Sequence, residues 1–391
     1  MSYSHKSTDD FKLERLFCQK LEGENGRVFS FAQGRAALYA GLRALNLPEN
    51  SHVMLAGYTS VGVANAIIYA GLKPLYIDIE PIYFNIDITK LPKAPKNVSA
   101  LIVQHSYGVS ADMRQIVNYC NKHNIQLIED CCHSFASHYH GKKLGRFGVF
   151  SFFSGQWQKF FTTGLGGFIY SENQGFQERI TEIHQQARTP SSFENMLSIV
   201  KLRGYHLCRS NKQRKIFTAF CQKYLTSNRE RGSSDPLNLR HITPANFLSK
   251  LTTYQTAQAI KALTDIEKNI THRKEIGAIY GKALSEIGFT PIPDKENCET
   301  VYLRYPICIQ SKHDFLKQAK RYNINIGDWF SAALHNHKAP LDVYQYQTGS
   351  CPTSELICNH MVNLPTDLYT SPKEAERIIK FLQQYASPMT F

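Results

Sequence analysis

The chain has 391 residues, 42% of them hydrophobic and 20% charged, and a formal net charge of +13. The length exceeds one compact core and predicts a large domain with a smaller one beside it, and the composition is that of an ordinary globular protein. No apolar run approaches the ~20 residues a membrane span needs. The start, Met1-Ser2-Tyr3-Ser4-His5-Lys6, leads into polar residues instead of an apolar signal core, so a cytoplasmic location is expected. The ten cysteines include no C-x-x-C pair, so neither zinc nor a thioredoxin-like centre is indicated. Nucleic-acid binding has no motif of its own, and the basic surplus fits an anionic small substrate or an acidic surface.

Leu38, Leu42 and Leu45 recur at helical spacing, which predicts a helix after Gly34. Short apolar strands then alternate with helical stretches, at 52–56, 73–79, 99–104, 125–129, 148–153 and 166–170. That alternation predicts a mainly parallel sheet wrapped by helices, and the short 153–166 connection permits an antiparallel pair. The strand at 125–129 ends at Asp130, with His133 just beyond. Strand ends in a parallel sheet face the ligand crevice, which places a carboxylate well; a plain helix cap is the alternative role for Asp130.

The stretch Phe153-Ser154-Gly155-Gln156-Trp157-Gln158-Lys159-Phe160-Phe161-Thr162-Thr163-Gly164-Leu165-Gly166-Gly167 is the most informative. A lysine bonds an aldehyde once its amine sheds its proton near neutral pH. The Ser154 hydroxyl is a donor for a phosphate on the same cofactor, and the glycines let backbone approach closely. Pyridoxal phosphate requires this set: a lysine for the aldehyde, donors for the phosphate and an acid for the ring nitrogen. Asp130 is the candidate acid, and His133 the candidate neighbour of the ring or its phenolic oxygen.

Residues 172–245 are polar, basic and helical in patches and look like an insertion, with its basic helical part at about 190–245. Between Lys201 and Arg231 stand nine Lys/Arg residues and one acid, Glu230. Ile216, Phe217, Phe220 and Tyr224 fall on one helical face, flanked by Lys212, Lys215 and Lys223. Two readings stay open: an amphipathic helix lying on a bilayer surface, as a peripheral membrane contact through 200–231, or a helical insertion packed on the enzyme with a solvated basic face. A long helical pattern, clearest at Ile260, Leu263, Ile266 and Ile270, runs from Leu251 to about Ile287 and bridges to the second domain. The expected division is a large cofactor-binding domain at 1–250, and the bridging helix with a small domain at 251–391. In the latter an edge-like strand is expected at Val301–Ile309, with helices at His313–Tyr322 and Pro372–Tyr385. Asp328-Trp329 is a candidate for reaching the substrate.

The chain resembles the DegT/DnrJ/StrS aminotransferases, the sugar branch of the fold-type-I pyridoxal phosphate enzymes. The resemblance rests on Gln33-Gly34-Arg35-Ala36-Ala37-Leu38, Tyr76-Ile77-Asp78-Ile79-Glu80 with Phe84-Asn85-Ile86-Asp87, and His105-Ser106-Tyr107-Gly108 with Ala111-Asp112-Met113. It continues through Glu129-Asp130-Cys131-Cys132-His133 and, without a gap, from Gly145 to Gly167. Leu251-Thr252-Thr253-Tyr254-Gln255 and Val362-Asn363-Leu364-Pro365 carry it more weakly. The resemblance implies a three-layer α/β/α fold with a mainly parallel sheet and a smaller α/β C-terminal domain. It also implies a two-fold dimer with the cofactor at the subunit interface. Carried over by position, Lys159 is the Schiff-base lysine, Asp130 the pyridinium partner and His133 the neighbour of the ring oxygen. Ser154 binds the phosphate, and Gly34 and Arg35 open the helix whose amides face that anion.

There are departures from the family pattern. Arg35 replaces a small hydroxyl residue, and its guanidinium either binds phosphate or points away. Ser60 replaces an aromatic that stacks on the ring, with Tyr58 nearby as a substitute. Leu248 replaces an asparagine that reaches across the dimer, with Asn246 close by, and the segment before the first helix is abbreviated. Cys131 and Cys132 replace two alanines, as small residues packed beneath the cofactor or as a redox-sensitive thiol. The implied reaction moves an amino group from a donor such as glutamate to a keto sugar nucleotide, by way of pyridoxal phosphate, for amino-sugar and surface-polysaccharide synthesis. The alternatives are a sugar dehydratase, against which Lys159 argues, and a non-catalytic regulator that retains the fold.

Overall fold

A computed structural model of the chain describes residues 7–208, 211–221, 247–336 and 340–389. The first part runs α1 (Thr8–Lys20), β1 (Arg27–Phe31), α2 (Gly34–Leu45), β2 (His52–Ala56), β3 (Thr59–Ser60), α3 (Val61–Tyr69) and β4 (Lys73–Ile77). It continues with β5 (Val98–Gln104), α4 (Met113–His123), β6 (Gln126–Asp130), β7 (His138–Tyr139), β8 (Lys142–Lys143), β9 (Phe150–Ser154) and β10 (Gly167–Ser171). Seven strands form one sheet in the order β1-β10-β9-β6-β5-β2-β4. The pairs β4/β2, β2/β5, β5/β6 and β6/β9 are parallel; β9/β10 and β10/β1 are antiparallel. The expected three-layer, mainly parallel architecture is therefore present.

Strand side chains alternate between the two faces, and each face has its own core. Phe29, Val53, Leu55, Ile102, Ile128, Phe152 and Ile169 point to one side, with Leu38, Leu42 and Ile67 of α2 and α3. Met54, Leu101, Val103, Leu127, Phe153 and Phe168 point to the other, against Leu13 and Phe17 of α1 and Ile116 of α4. Helix ends are fixed locally. Ser7 and Asp10 cap each other's backbone at the start of α1, while Asn46 and Asn124 end α2 and α4 in the left-handed conformation, which asparagine tolerates better than most residues.

Next come α5 (Gln174–Gln186), α6 (Ser192–Leu207) and α7 (Asn211–Phe220). Helix α5 corrects the sequence reading. Phe176 and Ile180 are fully buried in the sheet's own core, so the polar stretch from 172 begins as part of the helix layer and the added segment starts only after α5. Tyr224 and Lys223 lie outside the described residues. Of the face expected around Ile216, Phe217 packs on Gly204 of α6 whereas Ile216 is 62% exposed, so those side chains do not share one buried face.

The bridge is two helices, α8 (Thr253–Thr264) and α9 (Ile266–Glu286), broken at Asp265. Asp265, at φ −93° and ψ 9°, leaves helical geometry, so the continuous apolar period conceals a bend. Ala259, Leu263, Ile266 and Ile270 join the large core, and Ile276, Tyr280 and Leu284 of the same α9 join a second core. The remaining elements are β11 (Cys298–Glu299), β12 (Arg304–Cys308), α10 (Lys312–Arg321), β13 (Leu334–His335), α11 (Pro352–His360), β14 (Met361–Pro365) and α12 (Pro372–Tyr385). Antiparallel β12 and β14 bury Ile307, Val362 and Leu364 against Phe315 of α10 and Ile378 and Leu382 of α12. Between them in sequence, β13 pairs in parallel with β3 as a separate two-stranded sheet.

Candidate active site

Three neighbouring strands end at one place. Gln104 of β5 pairs in register with Asp130 of β6, Asp130 pairs with Phe152 of β9, and Ser154 closes β9. Their carboxyl ends, the N-terminus of α2 and the turn carrying Lys159 line one cleft. Gly34, Arg35, Asp130, His133, Ser154 and Lys159 all line it, together with Gln33, Ser60, Gln104, Cys132 and Phe330. All six residues singled out in the sequence thus meet in one cavity.

The lysine turn is built by close backbone approach. Gly155 N–H donates to Gly166 O (2.9 Å) and Thr163 N–H to Gly155 O (2.8 Å). A Cβ on Gly155 or Gly166 would stand 2.6 or 2.4 Å from Thr163 Oγ1, so neither position accepts a side chain without rearrangement. The bridging helices hold the turn from outside. Gln255 Nε2 donates to the carbonyls of Thr163 (3.1 Å) and Leu165 (2.7 Å), and Asn269 Nδ2 to that of Phe160 (2.6 Å). Arg273, 1% exposed, donates to Leu303 O, Thr366 Oγ1 and Asn269 Oδ1 and more distantly to Gln158 O. Burial lowers its guanidinium pKa to about 10. Nothing local in the sequence marks Gln255, Asn269 or Arg273, which act about a hundred residues away from the turn. Arg273→Met should leave these carbonyls unpaired and cost roughly 3 kcal/mol or more; an unchanged unfolding midpoint in urea would contradict that role.

Lys159 Nζ lies 5.1 Å from the Trp329 ring centre. Its pKa is lowered by burial, opposed by Cys132 and Asp130 and reinforced by Arg273. Asp130 accepts from Cys132 N–H (3.0 Å), and burial raises its pKa although that bond, Lys159 and His105 pull the other way. His133 accepts the Tyr107 N–H at Nδ1 (3.3 Å), and its ring stacks with those of Trp329 (5.8 Å, 13°) and Phe330 (5.9 Å, 18°). Burial, with Lys159 and His335, pushes its pKa well down, so the ring is neutral. Trp329 thus stands beside Lys159 and His133, whereas Asp328 pairs with Lys312 (2.7 Å) and is half exposed.

The departures find their places. Arg35 is buried, its Nε donating to Gln33 Oε1 (2.7 Å) and its guanidinium 5.5 Å from the Phe247 ring centre. Tyr58 is fully buried and its hydroxyl bonds to that of Tyr107 (2.7 Å), so it does not substitute for the missing aromatic. Ser60 itself lines the cleft, where the phenylalanines are Phe152 and Phe330. Leu248 packs on the sheet core and has no side-chain donor; Asn246 lies outside the described residues. Cys131 is buried in the core, while Cys132 faces the cleft.

Beneath the cleft His105, Glu129 and Cys131 cluster. Glu129 is fully buried and accepts the N–H groups of Gly145 (2.8 Å), Phe147 (2.6 Å) and Gly148 (2.9 Å). His105 takes the Ala111 N–H at Nδ1, which leaves its Nε2–H for Glu129 (3.3 Å). These bonds tie the 145–148 loop to the end of β6. Glu129→Ala would strand three backbone donors and the His105 Nε2–H, at roughly 1–3 kcal/mol each. A large fall in melting temperature is therefore expected, and a melt within a degree or two of wild type would refute the assignment.

The residues fit pyridoxal phosphate. Helix α2 has no side-chain cap at Gln33, so its first-turn amides open towards an anion beside Ser154. A Cβ on Gly167 would stand 2.3 Å from Gln33 O, so the glycine lets β10 press that helix start into the cleft. At the other end, the buried Asp130 suits a cationic ring nitrogen. The fold is that of a fold-type-I pyridoxal phosphate transferase. The chain belongs to the DegT/DnrJ/EryC1/StrS aminotransferase family, whose profile matches residues 6–383. An uncharacterised protein of Methanocaldococcus jannaschii is 24% identical over 84% of this chain and 78% of its own. GDP-perosamine synthase of Escherichia coli O157:H7 is 33% identical, but over 43% of this chain and 46% of its own length, so the chain spans about half of that relative. The solved NtdA from Bacillus subtilis, with bound cofactor PMP, superposes with a TM-score of 0.74 over 97% of this chain and 77% of its own, at 19% identity. Among the described residues no helix is long and apolar enough to cross a membrane.

Proposed function

We propose that the protein is a cytoplasmic, homodimeric, pyridoxal phosphate-dependent aminotransferase that passes an amino group from a donor such as glutamate to a keto sugar nucleotide. The observation that carries this reading is the convergence of Lys159, Asp130 and the uncapped start of α2 in one cleft. Names among the relatives, such as the perosamine synthase, support a sugar acceptor, and the +13 charge suits the anionic diphosphate of a sugar nucleotide.

When bound, pyridoxal phosphate supplies an aldehyde for amines and a ring that draws electrons from the adjacent carbon. Lys159 would hold the aldehyde end, and its free, neutral amine would serve as the general base that takes a proton from the donor carbon. Asp130, as the carboxylate, keeps the proton on the ring nitrogen. Neutral His133, fixed by the Tyr107 N–H and by Trp329 and Phe330, supports the ring. Ser154 Oγ and the amides of Gly34 and Arg35 hold the phosphate, with the Arg35 guanidinium beside them. Trp329 and Phe330 shield the Lys159 amine from water.

The test is formation of 2-oxoglutarate from glutamate on adding keto sugar nucleotides to the purified protein. Product that depends on both substrates supports the reading, and none with any acceptor, despite bound cofactor, refutes the acceptor class. A pH dependence follows from Lys159. Its amine is reactive when neutral, and burial lowers its pKa. The rate of pyridoxal phosphate uptake should therefore rise with pH and level off below the ordinary lysine value of about 10.4. A rate still climbing through that value would contradict the buried site.

A further inference from the structure

Helix α6 is apolar on both sides. Its inner face buries Leu202 and Tyr205, with Tyr205 against Trp157 (4.4 Å) and Leu202 against the backbone at Gly164. Its outer face carries Phe193, Met196, Val200 and Leu207, which are 63%, 50%, 49% and 80% exposed. At 3.6 residues per turn these four and the exposed Arg203 fall within an arc of about 80°. A surface helix ordinarily turns polar residues to water. Here the only acid of α6, Glu194, is instead held by Arg188 (2.6 Å), which leaves no carboxylate on the outer face. Helix α7 packs on α6 through Phe217 and Gly204 and adds Ile216, 62% exposed. The sequence from Lys201 to Arg231 has nine basic residues and one acid; of these Lys201 and Arg214 are buried, and Arg203 is exposed.

Exposed aliphatic side chains joined to a one-signed charge select the partner. A second copy meeting this face about a two-fold axis would bring like charges together, whereas an anionic surface is complementary. We propose that the outer face of α6, with the adjoining part of α7, docks on an anionic lipid bilayer. Phe193, Met196, Val200 and Leu207 enter the boundary between headgroups and acyl chains, and Arg203 meets the headgroups. Because Tyr205 on the inner face touches Trp157, two residues from Lys159, docking sets the lysine turn close to the membrane.

Flotation of the full chain with vesicles tests this. The protein should rise with phosphatidylcholine vesicles containing phosphatidylglycerol, stay down with phosphatidylcholine alone, and lose most of its binding at high salt. Val200→Glu and Leu207→Glu should each cut the bound fraction about tenfold and Arg203→Glu should weaken it, with melting temperatures unchanged because these side chains are exposed. Wild-type protein that stays down with both vesicle types, or binds both equally at any salt, overturns the proposal. So does a wild type that does not float but whose Leu207→Glu variant sediments as a smaller species, which would make the face a contact between copies.

Discussion

Lys159→Ala is expected to lower turnover by at least about 10³-fold, since one side chain supplies both the bond to the cofactor and the base that moves the proton. The fold should survive, because the turn is held through the backbone carbonyls of residues 158, 160, 163 and 165 by Arg273, Asn269 and Gln255, none of which contacts the lysine amine. Removing a buried amine whose charged form is disfavoured relieves a cost instead of creating one. Melting of the cofactor-free variant should match or exceed that of wild type. Turnover within tenfold of wild type would remove Lys159 from the chemistry.

Asp130→Asn should separate activity from stability. The variant keeps an acceptor for the Cys132 N–H but cannot hold a proton on a ring nitrogen by charge, so turnover should fall about 10²-fold or more. Stability should move the other way. Burial raises the Asp130 pKa in the folded cofactor-free protein, so the native state binds the proton more tightly than the unfolded chain. The wild type therefore loses stability as pH rises from the unfolded value of about 3.9 through the raised folded value, and the Asn variant should lack that loss. Thermal melts across acid to neutral pH, with and without pyridoxal phosphate, read both effects. A variant less stable without cofactor and unaffected in turnover would make Asp130 only a cap for the 131–133 turn.

What was legible in the sequence was what is encoded locally. Strands β2, β5 and β6 are buried on both faces and read as short apolar runs, and β6 runs directly into Asp130. Lys159 and its glycines lie in one unbroken turn, so their chemistry could be read in place. Strand β1 was missed: Arg27-Val28-Phe29-Ser30-Phe31 is a short edge strand whose pairing with β10 spans about 140 residues. The two-helix bridge read as one because the apolar period carries across Asp265, and only the local geometry there shows the break. The helix α5 looked like surface because its buried contacts, Phe176 and Ile180, are few among polar residues. The clamp on the lysine turn, and Phe330 in the cleft, depend on tertiary contacts with no sequence spacing to announce them. Tyr58 illustrates the converse: adjacency to Ser60 suggested a ring-stacking role, but its hydroxyl is committed to Tyr107 in the core.

The most direct test of the site is chemical. The purified protein is saturated with pyridoxal phosphate, reduced with borohydride and digested, and the peptides are weighed by mass spectrometry. The cofactor mass is predicted on the peptide containing Lys159, at about one per chain, with loss of the visible absorbance on reduction. Glutamate added before reduction should abolish the label, because the donor displaces the lysine. Cofactor fixed on another lysine, or an unlabelled protein that never gained visible absorbance, would contradict the assignment of this cleft.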